Sequence, residues 1–344
     1  HTAFEALLGV FMPDFSDILQ NKPHTLLQAF EAMKNEDRFN APPFGTYYEK
    51  FEIEDIPVLL IHGSPKLTKK KLLSNGVIIH LHGGGFIIGS SQADHQYTSY
   101  LHLFTDLPVL AFDYKLAPRH PLQSGQLIED GKQVIMKYLH KHLSVPFRKM
   151  YVTGTSAGGG ASLLLMHHFA KQGHFFGGVI PVSPWTDLRI LPELKSFREF
   201  DGVDPMLNYD ALKLFQIYAL GCRGPDGEPT TNGNMEDCIK DGLVALQEKE
   251  MNPATIDWVS WNRFEAEQQK EIKAMHVAFI VASHEVLRDD SVLMYQRLLN
   301  KVNGFAENRN IQLFQMQTDM HCLPLFVDVP EGMKWVYKIS YLIN

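Results

Sequence analysis

Apolar positions along the chain fall into two rhythms. From residue 76 to about 186, and again from about 275 onward, short β-branched runs alternate with stretches whose apolar residues recur every three or four positions. Gly76-Val77-Ile78-Ile79-His80-Leu81, Val109-Leu110-Ala111-Phe112, Met150-Tyr151-Val152-Thr153, Val179-Ile180-Pro181-Val182 and Val277-Ala278-Phe279-Ile280-Val281 are short and mostly apolar. That is the signature of strands covered on both faces. Ile311-Gln312-Leu313-Phe314-Gln315-Met316 alternates instead, and reads as the final strand, at an edge. Leu127, Val134, Tyr138 and Leu139 form the stripe of one intervening helix. Ala161, Leu163, Leu164, Leu165, Met166 and Ala170 belong to another, ending by Gly173. This alternation predicts an α/β fold with a mainly parallel sheet and helices on both of its faces.

The rhythm fails in two places. Residues 1–45 look helical in pieces, with Phe4, Leu7, Leu8 and Phe11 on one face and Leu26, Leu27 and Phe30 on another, up to Pro42-Pro43-Phe44-Gly45. After Trp185, Tyr209, Leu212, Phe215, Ile217 and Tyr218 suggest an isolated helix, and a glycine- and proline-containing loop follows from Gly221 to Gly233. The organisation expected is a core of residues 46–186 and 263–344, with residues 1–45 and 187–262 forming a helical cap over the site. Phe215, Tyr218, Trp258 and Trp261 either line an acyl or alcohol pocket there or pack the interior of the cap.

Size and charge narrow the function. With 344 residues, 45% of them hydrophobic, the chain can bury a large core. A net charge of −7 argues against nucleic acid, whose phosphates need a basic surface. The four lysines between Lys66 and Lys71 read as a solvated connection before a strand. No apolar stretch approaches a membrane span, and no basic start precedes an apolar core as in a signal peptide. A cytoplasmic location is expected, although the chain begins at His1 and trimming is left open. Cys222, Cys238 and Cys322 are an odd set without metal spacing, which suits a reducing compartment. The sixteen histidines do not reproduce a zinc motif either, so no metal is expected.

Two stretches carry chemistry. Val152-Thr153-Gly154-Thr155-Ser156-Ala157-Gly158 reads as a strand entering a tight turn with Ser156 at its apex, followed at once by a helix. A G-x-S-x-G turn between strand and helix exposes a strained serine, and small flanking residues let strand and helix approach. The helix start also directs its positive end at the hydroxyl. Earlier, His82-Gly83-Gly84-Gly85-Phe86 follows a strand, and its flexible backbone can aim amides at an anion. Gly84, Gly85 and Ala157 are the expected oxyanion donors, with Ser156 the nucleophile. No G-x-x-x-x-G-K-[ST] is present, so a phosphate loop is not expected, and His82 reads as an orienting residue, not a base.

Taken with Asp113-Tyr114-Lys115-Leu116-Ala117-Pro118 and Ser183-Pro184-Trp185-Thr186-Asp187-Leu188, these motifs resemble the hormone-sensitive-lipase family of α/β-hydrolases. The resemblance runs from about residue 46 to the C-terminus and is weakest between roughly 190 and 270. It implies a serine esterase with a helical cap, no cofactor and short acyl esters as substrates. Thr155 replaces an Asp common in that family, Arg119 a frequent Glu, and Glu285 a commoner Asp.

A serine hydroxyl needs a base, and the base needs a carboxylate to hold its tautomer. In this fold the acid and the histidine follow the serine on loops after late strands. His321, in the loop after Ile311–Met316, is the expected base. The family pattern D-x-L-x-D aligns with Glu285-Val286-Leu287-Arg288-Asp289, which makes Glu285 the expected acid and Asp289 a capping or supporting residue. His284 is expected to face elsewhere.

The reading that follows is a carboxylesterase acting on short- to medium-chain acyl esters through an acyl-enzyme. An acyltransferase, amidase or lyase on the same triad, and a non-catalytic small-molecule receptor, remain alternatives. The expected partner is a small-molecule ester; pairing of edge strands would also permit a homodimer.

Overall fold

The computed structural model describes residues 45–343 apart from 67, 225, 231–233, 304 and 306–309. The expectation of helices within residues 1–45 therefore lies outside the described residues, Gly45 excepted. One sheet of eight strands organises the rest: β1 (Tyr47–Ile53), β2 (Ile56–His62), β3 (Val77–Leu81), β4 (Val109–Phe112), β5 (Met150–Thr155), β6 (Gly178–Val182), β7 (His276–Ala282) and β8 (Ile311–Met316). Their spatial order is β1-β2-β4-β3-β5-β6-β7-β8. Six strands, β3 to β8, pair in parallel, as their separation by helices requires. β1 and β2 form an antiparallel hairpin that joins β4, also antiparallel, and extends the sheet at one edge. The apolar rhythm had not distinguished this hairpin.

The sheet's two faces bury different sets of side chains. Leu60, Ile79, Leu81, Leu110, Val152, Val179 and Phe279 point into the larger core. Their neighbours Ile61, Ile78, Val109, Ile180, Ala278 and Ile280 point into the smaller one. That alternation within each strand is the two-residue period of a pleated chain. The smaller core is closed by α1 (His95–Thr105), which supplies Tyr97 and Leu101, and by the C-terminal helix Pro330–Ile343, which supplies Val336 and Ile339.

On the larger core lies α2 (Gln126–Gly131), whose stripe continues through Lys132–His142 as a π-helix, with Leu143 N–H donating to Tyr138 O five residues back. Next to it, α3 (Ala157–Ala170) is buried at every position except His168. The isolated helix expected around Phe215 is α4 (Tyr209–Ala219), started by the Asn208 side chain accepting from Ala211 N–H. A second helix, α5 (Met235–Glu248), follows with Asn234 as its N-cap. α6 (Arg288–Lys301) packs between β7 and β8 and carries the buried Asp290. Its carboxylate accepts the Thr186 and Asp187 amides, fixing the chain where it leaves β6 for residues 187–262.

The cysteine argument needs correction. Cys222 and Cys238 form a disulfide between the end of α4 and the start of α5, with their Cα atoms 5.8 Å apart; Cys322 is free and buried. The odd count concealed a pair because the chain must fold back across 16 residues to bring them together. The support that three free thiols lent to a cytoplasmic location is thereby removed. No helix among the described residues is long and apolar enough to cross a membrane.

Phe279 lies in β7, fully buried where the parallel strands meet α6. Its replacement by Ala removes a large buried ring and should cost about 3–5 kcal/mol of unfolding free energy, measured by urea denaturation.

Candidate active site

At the end of β5 the chain turns at Ser156, whose φ of 53° and ψ of −119° belong to the left-handed side of conformational space. Three main-chain hydrogen bonds hold that strained residue. Its N–H donates to Val182 O at 2.9 Å, and its carbonyl accepts from Gly160 and Trp185 at 3.1 and 3.0 Å. The flanking glycines are required by space. A Cβ on Gly154 would lie 2.2 Å from Gly158 O, and one on Gly158 would lie 2.1 Å from Leu81 O. Strand, turn, helix and the end of β3 touch backbone to backbone there. Ala157 opens α3, so its amide sits at the positive end of a 14-residue helix.

The loop after β3 supplies the other main-chain wall. Gly84 and Gly85 have φ of +112° and +62°, and Gly84 O accepts from Ile87 and Ile88 N–H at 3.0 Å. The amides of Gly84, Gly85 and Ala157 donate to no other group among the described residues. His82 stacks on Tyr114 with ring centroids 4.4 Å apart, and Tyr114 Oη donates to His82 O at 2.8 Å.

His321 follows β8 and its Nδ1 lies 2.6 Å from Oε2 of the fully buried Glu285. Glu285 Oε1 accepts the Ala282 amide at 2.8 Å, so both carboxylate oxygens are occupied. Nε2 of His321 is buried with no hydrogen-bond partner. His321, Ser156, Gly84 and Gly85 line one cavity of about 300 Å³. Asp289 does not reach the imidazole: its carboxylate accepts the Ser196 amide at 3.0 Å and Arg288 Nε at 2.8 Å. His284 points to Ser283 and to the edge of Phe200. Of the four aromatics considered for the pocket, Phe215 lines it. Tyr218, Trp258 and Trp261 are buried in the larger core.

Burial opposes the imidazolium of His321, yet its neighbours outweigh that penalty and hold its pKa well above the ordinary value. Cys322 next to it cannot be the source of the stabilising charge near neutrality, because burial pushes its own thiol up. Glu285 is the source, through its hydrogen bond and its charge.

A third carboxylate stands here that sequence reasoning missed. Asp204 comes from residues 187–262, and its carboxylate, that of Glu285 and a ring nitrogen of His321 lie within 4.8 Å of one another. It accepts the Met206 and Val286 amides at 3.0 and 3.3 Å. Burial raises its pKa to about 6, with Glu285 raising and His321 lowering it. Nothing local marks this aspartate; only the tertiary fold brings it to Glu285, 81 residues later (285 − 204). The trio has the residue types of a cation site, with Nδ1 of His321 already in contact with Glu285.

Known proteins place this architecture. Crystal structures of esterases superpose on it, among them one from the bacterial hormone-sensitive lipase family (TM-score 0.65, 20% identity, 92% of this chain and 89% of that one). At that identity the likeness is one of fold. In sequence, the chain is 27% identical over 157 residues to the esterase LipU of Mycobacterium tuberculosis, across 44% of this chain and 50% of that protein. It is 27% identical over 189 residues to an esterase of Acinetobacter venetianus, across 54% and 59% of the two. The chain thus spans about half the length of the curated relatives it matches. A family model described as the alpha/beta hydrolase fold matches residues 78–251, just over half of the 344. The chain belongs to the α/β-hydrolase-fold family.

Proposed function

We propose that the protein is a serine carboxylesterase of the hormone-sensitive-lipase type, hydrolysing short- to medium-chain acyl esters. One observation carries this reading: the strained serine and a carboxylate-held imidazole with an unpartnered Nε2 line one cavity together with Gly84 and Gly85, whose amides are unengaged among the described residues. In the proposed reaction Ser156 Oγ attacks the ester carbonyl as His321 Nε2 takes its proton. Glu285 holds the imidazole through Nδ1 and stabilises the imidazolium that forms. The amides of Gly84, Gly85 and Ala157 receive the oxyanion, each contributing about 3 kcal/mol to the transition state. His321 then protonates the departing alcohol, the acyl group stays on Ser156, and water enters by the same base to release the acid.

Residues 187–262 act as a cap in this proposal, Phe215 forming part of the pocket wall. A cavity of about 300 Å³ is at the small end for ligand sites and favours short acyl chains. Names of the relatives, esterases in each case, support the same chemistry.

Ser156→Ala should lower kcat on nitrophenyl butyrate by about 10⁴-fold or more while leaving the circular dichroism unchanged. Turnover retained in that variant would reject the assignment. Glu285→Gln should lower kcat/KM by about 10²–10⁴-fold, whereas Asp289→Asn should stay within about tenfold of wild type.

The pH profile has a defined sign. His321 accepts a proton only when neutral, so activity disappears as pH falls through its raised pKa. The acid limb of kcat/KM should therefore lie above the ordinary imidazole value of about 6.5. Asp204→Asn removes a negative charge beside the imidazolium and should move that limb to lower pH; a limb that stays in place would mean that Asp204 acts only in packing.

A further inference from the structure

Among the described residues, Asp94 is the one carboxylate on the cavity wall. It occupies the N-cap position of α1, but its side chain makes no capping bond, so helix initiation does not account for it. Its side chain is 9% exposed. Oδ2 accepts from Nε2 of His80 at 2.7 Å and from Thr155 Oγ1 at 3.4 Å. Oδ1 has no partner among the described residues.

His80 is fully buried, and its Nδ1 has no hydrogen-bond partner. His80 therefore engages Oδ2 of Asp94 alone, through Nε2, and leaves Oδ1 to the cavity. Among the described residues the cavity wall contains no lysine or arginine. Ile88, Ala93, Met206, Leu207, Phe215 and Leu325 make most of that wall apolar. An acceptor oxygen with a free lone pair on a mostly apolar wall, with no lysine or arginine beside it among the described residues, is poorly compensated until a cationic donor arrives.

We infer that Asp94 forms an acidic subsite of this cavity and selects esters that carry a protonated amine in the acyl or the alcohol half. This rests on the ester hydrolysis proposed above. The amine N–H⁺ would donate to Oδ1 and supply the charge that the wall lacks, while the carbonyl lies at Ser156. A neutral substrate of the same shape would have to leave that oxygen without water or partner.

Two pairs of isosteric substrates test it by pH-stat titration at pH 7. Dimethylaminoethyl butyrate and isopentyl butyrate differ only by N–H⁺ against C–H in the alcohol half. Ethyl dimethylaminobutyrate and its carbon isostere, ethyl methylhexanoate, differ in the same way in the acyl half. In at least one pair the wild-type enzyme should favour the amine by about tenfold or more in kcat/KM, mainly through KM. Asp94→Asn should bring that ratio close to one, and the pair showing the preference identifies the half that carries the charge. A second measurement on the wild type alone uses the product alcohols. Should the preferred pair be the alcohol one, dimethylaminoethanol should inhibit about tenfold more strongly than isopentyl alcohol.

Ratios near or below one in both pairs overturn the subsite while leaving the esterase intact, because the neutral isosteres are still consumed. A preference that survives in Asp94→Asn also overturns it. Failure to hydrolyse any of the four esters would instead reject the ester hydrolase reading, and the subsite with it.

Discussion

Backbone contact at one point underlies the whole arrangement. Where β3 ends, β5 turns and α3 begins, three main chains come together with no room for a side chain at Gly154 or Gly158. That contact fixes Ser156 in a conformation few residues adopt, and the bonds from Val182, Gly160 and Trp185 keep it there. It also sets the Ala157 amide at the start of α3, directly after Ser156. A turn loosened at this place would separate all of these groups together.

Around that rigid point the protein distributes three buried carboxylates with different partners. Glu285 is fully engaged, by the Ala282 amide and the His321 imidazole. Asp204 arrives from residues 187–262 and gathers the amides of Met206, Leu207 and Val286. Its position makes the seating of that segment and the electrostatics of His321 one problem, since neither carboxylate can move without altering the other's surroundings. Asp94 shares one oxygen with His80 and Thr155 and leaves the other without a partner among the described residues. Thr155 thereby joins the residue before Ser156 to the wall opposite, at a position where the resembling family often carries an Asp of its own.

Residues 187–262 are joined to α6 through Asp290 and braced within the segment by further polar contacts and a disulfide. Asp290 holds Thr186 and Asp187, Asn252 holds Asp187 and Leu188, and the Cys222–Cys238 disulfide joins α4 to α5. Phe215 on α4 then presses against Gly85, where a Cβ would stand 2.5 Å from its ring. The segment that shapes the pocket also confines the loop whose amides face it.

Legibility in the sequence followed the range of the interactions. The parallel strands, α3, α4 and the glycine-flanked turn were readable because each depends on local periodicity or on steric demands between near neighbours. The places of Ser156, Gly84, Gly85 and His321 came from the same local patterns, and Glu285 from a resemblance; the fold brings His321 and Glu285 into contact. The antiparallel β1–β2 hairpin was missed because its pairing with β4 is a tertiary choice. Cys222–Cys238 escaped because an odd cysteine count does not say which two will meet. Asp204 and Asp94 are ordinary aspartates in sequence; burial and the groups that crowd each carboxylate, drawn from distant segments, exist only once the chain has folded. Sequence determined the local geometry of the turn and its amides, while tertiary structure alone decided which charges surround them, because electrostatic environment depends on proximity in space.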